Sequence, residues 1–118
     1  MCRLERLEAF ARTRINESTC KTKMISIIVK GGKIVSYDTN KNKYRDKTIH
    51  AEVNAINNMI RQKRNSQGCD IFVFRFLASG DFGIARPCDD CWNAIVKAGI
   101  KRVWYSDYGN KMIMEKVY

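Results

Sequence analysis

The single histidine and the single proline of this chain fall in two short segments, His50-Ala51-Glu52 and Pro87-Cys88-Asp89-Asp90-Cys91. Each segment opens a stretch of helical periodicity, and that coincidence restricts the fold. Residues two apart in mid-helix point about 200° away from each other. His50 and Glu52 therefore serve one site only if His50 sits at or before the first turn. The sequence allows this, since polar Thr48 precedes it and periodic apolar residues begin at Ala51. Cys88 and Cys91 follow Pro87, whose fixed φ suits a helix entry. A helix N-terminus favours negative charge, and so the thiolate form of both cysteines.

One imidazole and two thiolates leave one position open on a tetrahedral zinc, which a water can occupy. A carboxylate two residues from the histidine can move protons without binding the metal. Taken singly, the parts have plainer roles. A C-x-x-C pair also builds redox sites and half of structural zinc sites, and a lone histidine or glutamate is ordinary polar surface. Asp89 and Asp90 complement the helix dipole and read as capping residues. It is the joint occurrence, with each residue type at a helix start, that selects an open metal site.

Spacing of apolar residues supplies the elements. Leu4, Leu7, Phe10, Ala11, Arg14 and Ile15 predict an amphipathic helix from about residue 3 to 17. Met24 to Lys30 and Lys33 to Asn40 flank Gly31-Gly32, a hairpin signal. Residues 41 to 49 are polar and basic and read as loop. A second helix carries Ala51, Val53, Ala55, Ile56, Met59 and Ile60, ending in the charged stretch Arg61 to Arg64. Asp70 to Leu77 is almost wholly apolar, as in a central strand covered on both faces. Residues 78 to 87 form a loop. A third helix runs through Cys91, Ala94, Ile95 and Ala98 and is closed by Gly99. Val103 to Ser106 and Met112 to Val117 are strands around the turn Tyr108-Gly109-Asn110. That connection is too short for a parallel crossover, which needs roughly a dozen residues, so the last two strands form an antiparallel hairpin. The expectation is an α/β fold of three layers, a five-stranded mixed sheet with helices on its faces, spanning residues 1–118 as one domain.

Composition excludes some classes. No apolar run approaches the ~18 residues of a membrane span. The charged N-terminal segment has no apolar signal core, which argues against secretion and for a cytoplasmic protein. Five cysteines, two of them in C-x-x-C, fit a reducing compartment and metal ligation better than a disulfide framework. The net charge of +10 is read either as solubility or as attraction to phosphates.

Over nearly its whole length the chain resembles the cytidine/deoxycytidylate deaminase superfamily of zinc-dependent nucleobase deaminases. The matching stretches are His50-Ala51-Glu52-Val53-Asn54-Ala55-Ile56, Ala85-Arg86-Pro87-Cys88-Asp89-Asp90-Cys91-Trp92 and Ala98-Gly99-Ile100-Lys101-Arg102-Val103. The resemblance implies a cytidine-deaminase-like fold and a Zn2+ held by His50, Cys88 and Cys91. It implies that Glu52 takes a proton from the bound water, then delivers protons to the ring nitrogen and the departing amine.

For the substrate, the resemblance points to Asn40 as a sugar contact, to the Ala51 backbone N–H as a partner of the base carbonyl, and to Tyr105 as a ring near the base. Asn40 reads equally as a strand-end turn former, and Tyr105 as core. Lys41, Lys43, Arg45 and Lys47 alternate in the loop before His50, so Lys43 and Arg45, with Arg86 beside Pro87, are candidate phosphate contacts. That basic loop favours deoxycytidylate over cytidine as a small nucleotide or nucleoside substrate. The rival readings are a deaminase of single-stranded nucleic acid and a silent zinc-stabilised binding module. Relatives in that superfamily often assemble through surfaces near the active site, so the resemblance leaves a homo-oligomer open as a further partner.

Overall fold

The computed structural model describes residues 3–42 and 48–117. The elements in chain order are α1 (Arg3–Arg14), a 3-10 turn (Ile15–Glu17), β1 (Lys23–Lys30), β2 (Lys33–Thr39), β3 (Lys41–Asn42), β4 (Thr48–Ile49), α2 (Ala51–Arg61), β5 (Asp70–Phe76), β6 (Phe82–Gly83), α3 (Asp89–Lys97), β7 (Arg102–Asp107) and β8 (Lys111–Lys116). The main sheet runs β2-β1-β5-β7-β8. β5 and β7 are parallel, and the other neighbours along that path are antiparallel, including the closing β7–β8 hairpin.

Alternation along the central strands produces the three layers. Ile25, Ile27 and Val29 of β1, with Phe72 and Phe74 of β5, pack against Leu7 and Ala11 of α1. Ile28, Ile71, Val73, Val103 and Tyr105 turn to the other face and meet Ala55, Ile56 and Met59 of α2 and Ile95 of α3. Both faces of β5 are thus covered, which explains its nearly continuous apolar sequence. Phe72 and Phe74 are fully buried, and burial of each side chain stabilises the fold by roughly 1.5–3 kcal/mol. At the β1–β2 turn Gly31 and Gly32 both take positive φ, 58° and 80°, which the short turn needs to match the strand twist.

Two stretches read as loop carry additional pairing. β6 forms a sixth, two-residue strand against β5, with Arg75 opposite Gly83 and Phe76 opposite Phe82. Glycine permits this approach, because a Cβ at position 83 would come within 2.9 Å of Arg75 Cδ. Near the site, Lys41 pairs with Ile49 and Asn42 with Thr48. This ribbon delivers His50 directly from β4. The first helix also ends sooner than its periodicity suggests, as an α-helix to Arg14 with the 3-10 turn covering 15–17. No helix among the described residues is long and apolar enough to cross a membrane.

Candidate active site

Both helix starts carry unusual caps. His50 is the N-cap of α2, with extended backbone (φ −70°, ψ 148°), and Cys88 is the N-cap of α3 (φ −69°, ψ 172°). Ser, Thr, Asp and Asn are the stabilising choices there, worth about 1 kcal/mol over Ala. Neither His50 nor Cys88 uses its side chain to cap the helix. Their backbone carbonyls still accept the first helical bonds, from Asn54 N–H at 3.1 Å and Trp92 N–H at 2.8 Å. The helices begin normally while both side chains remain available as ligands.

Those side chains converge. His50 Nδ1 lies 3.0 Å from Cys91 Sγ and 3.7 Å from Cys88 Sγ, and the three donor atoms lie within 4.8 Å of one another. A tetrahedral zinc with bonds of about 2.0–2.3 Å places its ligand atoms roughly 3.6 Å apart, so the cluster fits that ion. The donor set of one nitrogen and two sulfurs suits zinc and leaves a fourth position for a water or substrate.

Glu52 stands on the first turn of α2 against His50 and Cys91, with only 2% of its surface exposed. Burial raises its carboxyl above the ordinary range, more than its own backbone N–H, His50, Cys91 and Ser26 lower it. Its Oε1 is buried without a hydrogen-bond partner among the described residues. Burial likewise pushes the Cys91 thiol up, with Glu52 and Cys88 adding to the effect. A dication at the cluster reverses that balance and favours the thiolate.

The outer candidates are placed differently. Asn40 is buried, and its Oδ1 accepts from Ser18 Oγ at 2.6 Å and Met24 N–H at 3.0 Å, while Nδ2 donates to the Thr22 carbonyl at 2.7 Å. Ala51 is the first residue of α2, so its N–H is one of those a helix leaves without an internal partner. Tyr105 is 7% exposed, and its hydroxyl donates to Glu115 Oε2 at 2.8 Å. Arg86 binds the same carboxylate, Nε to Oε2 at 2.8 Å and Nη2 to Oε1 at 3.3 Å. Lys41 turns to the Glu17 carbonyl at 2.6 Å. Lys43 and Arg45, like Lys47, lie outside the described residues.

Glu115 is the residue that sequence reasoning missed. The β7–β8 register sets Val103 opposite Glu115 and Tyr105 opposite Ile113, so Tyr105 and Glu115 share one face. The expected hairpin carried that half of the signal. The contact with Arg86, 29 residues earlier, had none.

Comparison with known proteins shows the family. The family model for the cytidine and deoxycytidylate deaminase zinc-binding region matches residues 4–107. The chain belongs to this deaminase family. The dCMP deaminase of cyanophage S-TIM5 has a similar structure, with a TM-score of 0.70 and 27% identity over 87% of this chain and 81% of that one. Cytidine deaminase from Burkholderia pseudomallei shares the fold, with a TM-score of 0.77 at 16% identity over 96% and 91% of the two chains. An uncharacterized deaminase encoded in the luxG 3′ region of Aliivibrio fischeri is 40% identical over 58 residues. The match spans 49% of this chain and 31% of that relative's length.

Proposed function

We propose that this chain is a zinc-dependent hydrolytic deaminase of a cytosine nucleotide or nucleoside, with deoxycytidylate preferred over cytidine. One observation carries the reading: a buried carboxyl, Glu52, stands beside a three-donor cluster that leaves one coordination position open. A purely structural zinc site is closed by four protein ligands and has no use for such a carboxyl. The preference for a nucleotide is supported by the cyanophage relative, a dCMP deaminase, and by the basic sequence 41–47 ahead of His50.

His50, Cys88 and Cys91 hold the metal in this reading. Zinc held by these residues would acidify a water and so supply a nucleophile at neutral pH. The protein's own part is proton handling. Glu52 takes the proton released as water adds to C4 of the ring and passes it to N3. It then takes the proton of the new C4 hydroxyl and delivers it to the exocyclic nitrogen as the C4–N bond breaks. Water is consumed, the amino group leaves as ammonia, and the ring ends in its oxo form. A raised carboxyl pKa suits a group that must act as base and then as acid. In this reading the Ala51 N–H, unpaired within its helix, holds the base carbonyl.

The test is direct. Zinc-loaded protein is incubated separately with deoxycytidylate, cytidine, adenosine and a single-stranded oligonucleotide, and ammonia and converted base are quantified. The proposal expects equal amounts of ammonia and deoxyuridylate, with deoxycytidylate the fastest substrate. Turnover of oligonucleotide alone replaces the small-molecule reading with a polynucleotide one. Zinc binding without turnover of any substrate contradicts catalysis.

A further inference from the structure

We propose that Glu115, Arg86 and Trp92 form a brace that sets the spacing of the two cysteine ligands, with Glu115 as its positioning residue. The inference rests on the reading of His50, Cys88 and Cys91 as zinc ligands. Arg86 sits just before Pro87-Cys88, and Trp92 follows Cys91 directly. The guanidinium carbon of Arg86 lies 5.3 Å from the centre of the Trp92 ring. Two of its nitrogens bond the two oxygens of Glu115 at 2.8 and 3.3 Å. One planar group thus ties the entry of the ligand turn to its exit, and ties both to the edge strand β8.

Glu115 is itself oriented. Tyr105 donates to its Oε2 at 2.8 Å from the neighbouring strand β7. The backbone ahead of Arg86 is anchored as well, by Ala85 N–H to the Ser106 carbonyl at 3.0 Å. Cys88 needs outside support of this kind. Its side chain is exposed, its backbone is extended, and it stands at the end of a loop. Metal ligands tolerate deviations of only about 0.2 Å, and a loop-borne thiolate holds such a tolerance only if its surroundings do.

The brace acts through geometry more than through stability. Side chains as exposed as those of Arg86 and Glu115, 49% and 33%, gain little from charge attraction alone. A bidentate fork lying over an indole ring restricts direction and rotation instead. The same engagement makes Arg86 a positioning residue, because Glu115 holds its Nε and Nη2.

Zinc affinity, by competition with a chromophoric chelator, and the absorption spectrum of the cobalt-substituted protein test this without any substrate. Glu115→Ala is expected to weaken zinc binding by roughly tenfold or more and to alter the cobalt spectrum. Arg86→Lys keeps the charge, loses the fork and shows the same defects. Glu115→Gln restores part of the affinity. Combining Glu115→Ala with Arg86→Lys adds little to either alone, as expected for one unit. Parent-like zinc affinity and cobalt spectrum in Glu115→Ala overturn the brace. So does a higher KM for deoxycytidylate in Arg86→Lys with zinc affinity unchanged, which makes Arg86 a substrate contact. If Glu115→Ala fails to fold, Arg86→Lys at its exposed position decides by the same two readouts. A parent protein that binds no zinc overturns the site reading and the brace together, an outcome distinct from variants that match a zinc-binding parent.

Discussion

His50 Nδ1 and Cys91 Sγ stand 3.0 Å apart across 41 residues of sequence. One side chain belongs to the start of α2 and the other to the first turn of α3, so the contact exists only when both helices are docked on the same face of the sheet. Metal binding and tertiary structure are therefore coupled. Removing the metal with a strong chelator is expected to lower the thermal midpoint while leaving one cooperative transition. The loss stays below the ~10 kcal/mol typical of structural zinc-finger sites, because the two apolar clusters do not depend on the ion. Circular dichroism melts with and without chelator check this, and an unchanged midpoint contradicts it.

Asn40 stitches the end of β2 to the segment before β1. Replacing it with alanine leaves the buried Ser18 hydroxyl without its acceptor and removes the part-buried bonds to the Met24 N–H and the Thr22 carbonyl. Leaving buried groups unpaired costs about 1–3 kcal/mol each way it occurs. Denaturant unfolding of Asn40→Ala is expected to show a lower midpoint by an amount in that range. A parent-like midpoint would mean that these bonds are replaced by water without cost.

The Arg86 guanidinium, and then the Tyr105 hydroxyl, hold the Glu115 carboxyl below its ordinary value of 4.5. Its folded pKa is depressed, so the stability it contributes is fully present above the unfolded carboxylate pKa. That contribution disappears as pH falls through the lower folded value. The melting-temperature gap between parent and Glu115→Gln is therefore expected to be constant near neutral pH and to close in acid. A gap that widens in acid contradicts the pairing.

Much of this arrangement was legible in the sequence because its signals are local. Gly31-Gly32 specifies a two-residue hairpin, and the short turn around Gly109 forces β7 and β8 antiparallel. His50-Ala51-Glu52 and Pro87 to Cys91 mark their own helix starts, so the core of the candidate site could be named. Other features depend on approach between distant segments. β6 pairs with β5 where Gly83 lies against the Arg75 side chain. The β3–β4 ribbon is two residues per strand, too short for any periodicity. Glu115 looks like an ordinary edge-strand charge until Arg86 is seen beside it. Such contacts have a geometry but no pattern.

Gly99 closes α3 with φ +77°, and a Cβ there would lie 3.1 Å from the Gln67 backbone Cα. A side chain in that conformation costs roughly 1–2 kcal/mol, and the close approach adds to it. Gly99→Ala is expected to destabilise the protein by at least that amount in equilibrium unfolding. Unchanged stability would show that the turn can relax away from Gln67.

The central claim is that Glu52 moves protons at a metal it does not bind. Bound zinc and ammonia released from deoxycytidylate, measured side by side for the parent and for Glu52→Gln, test it most directly. The account predicts equal zinc content in the two proteins and a fall in turnover of about 10²–10⁴-fold in the variant. A variant that keeps parental turnover, or that loses its zinc along with its activity, contradicts it.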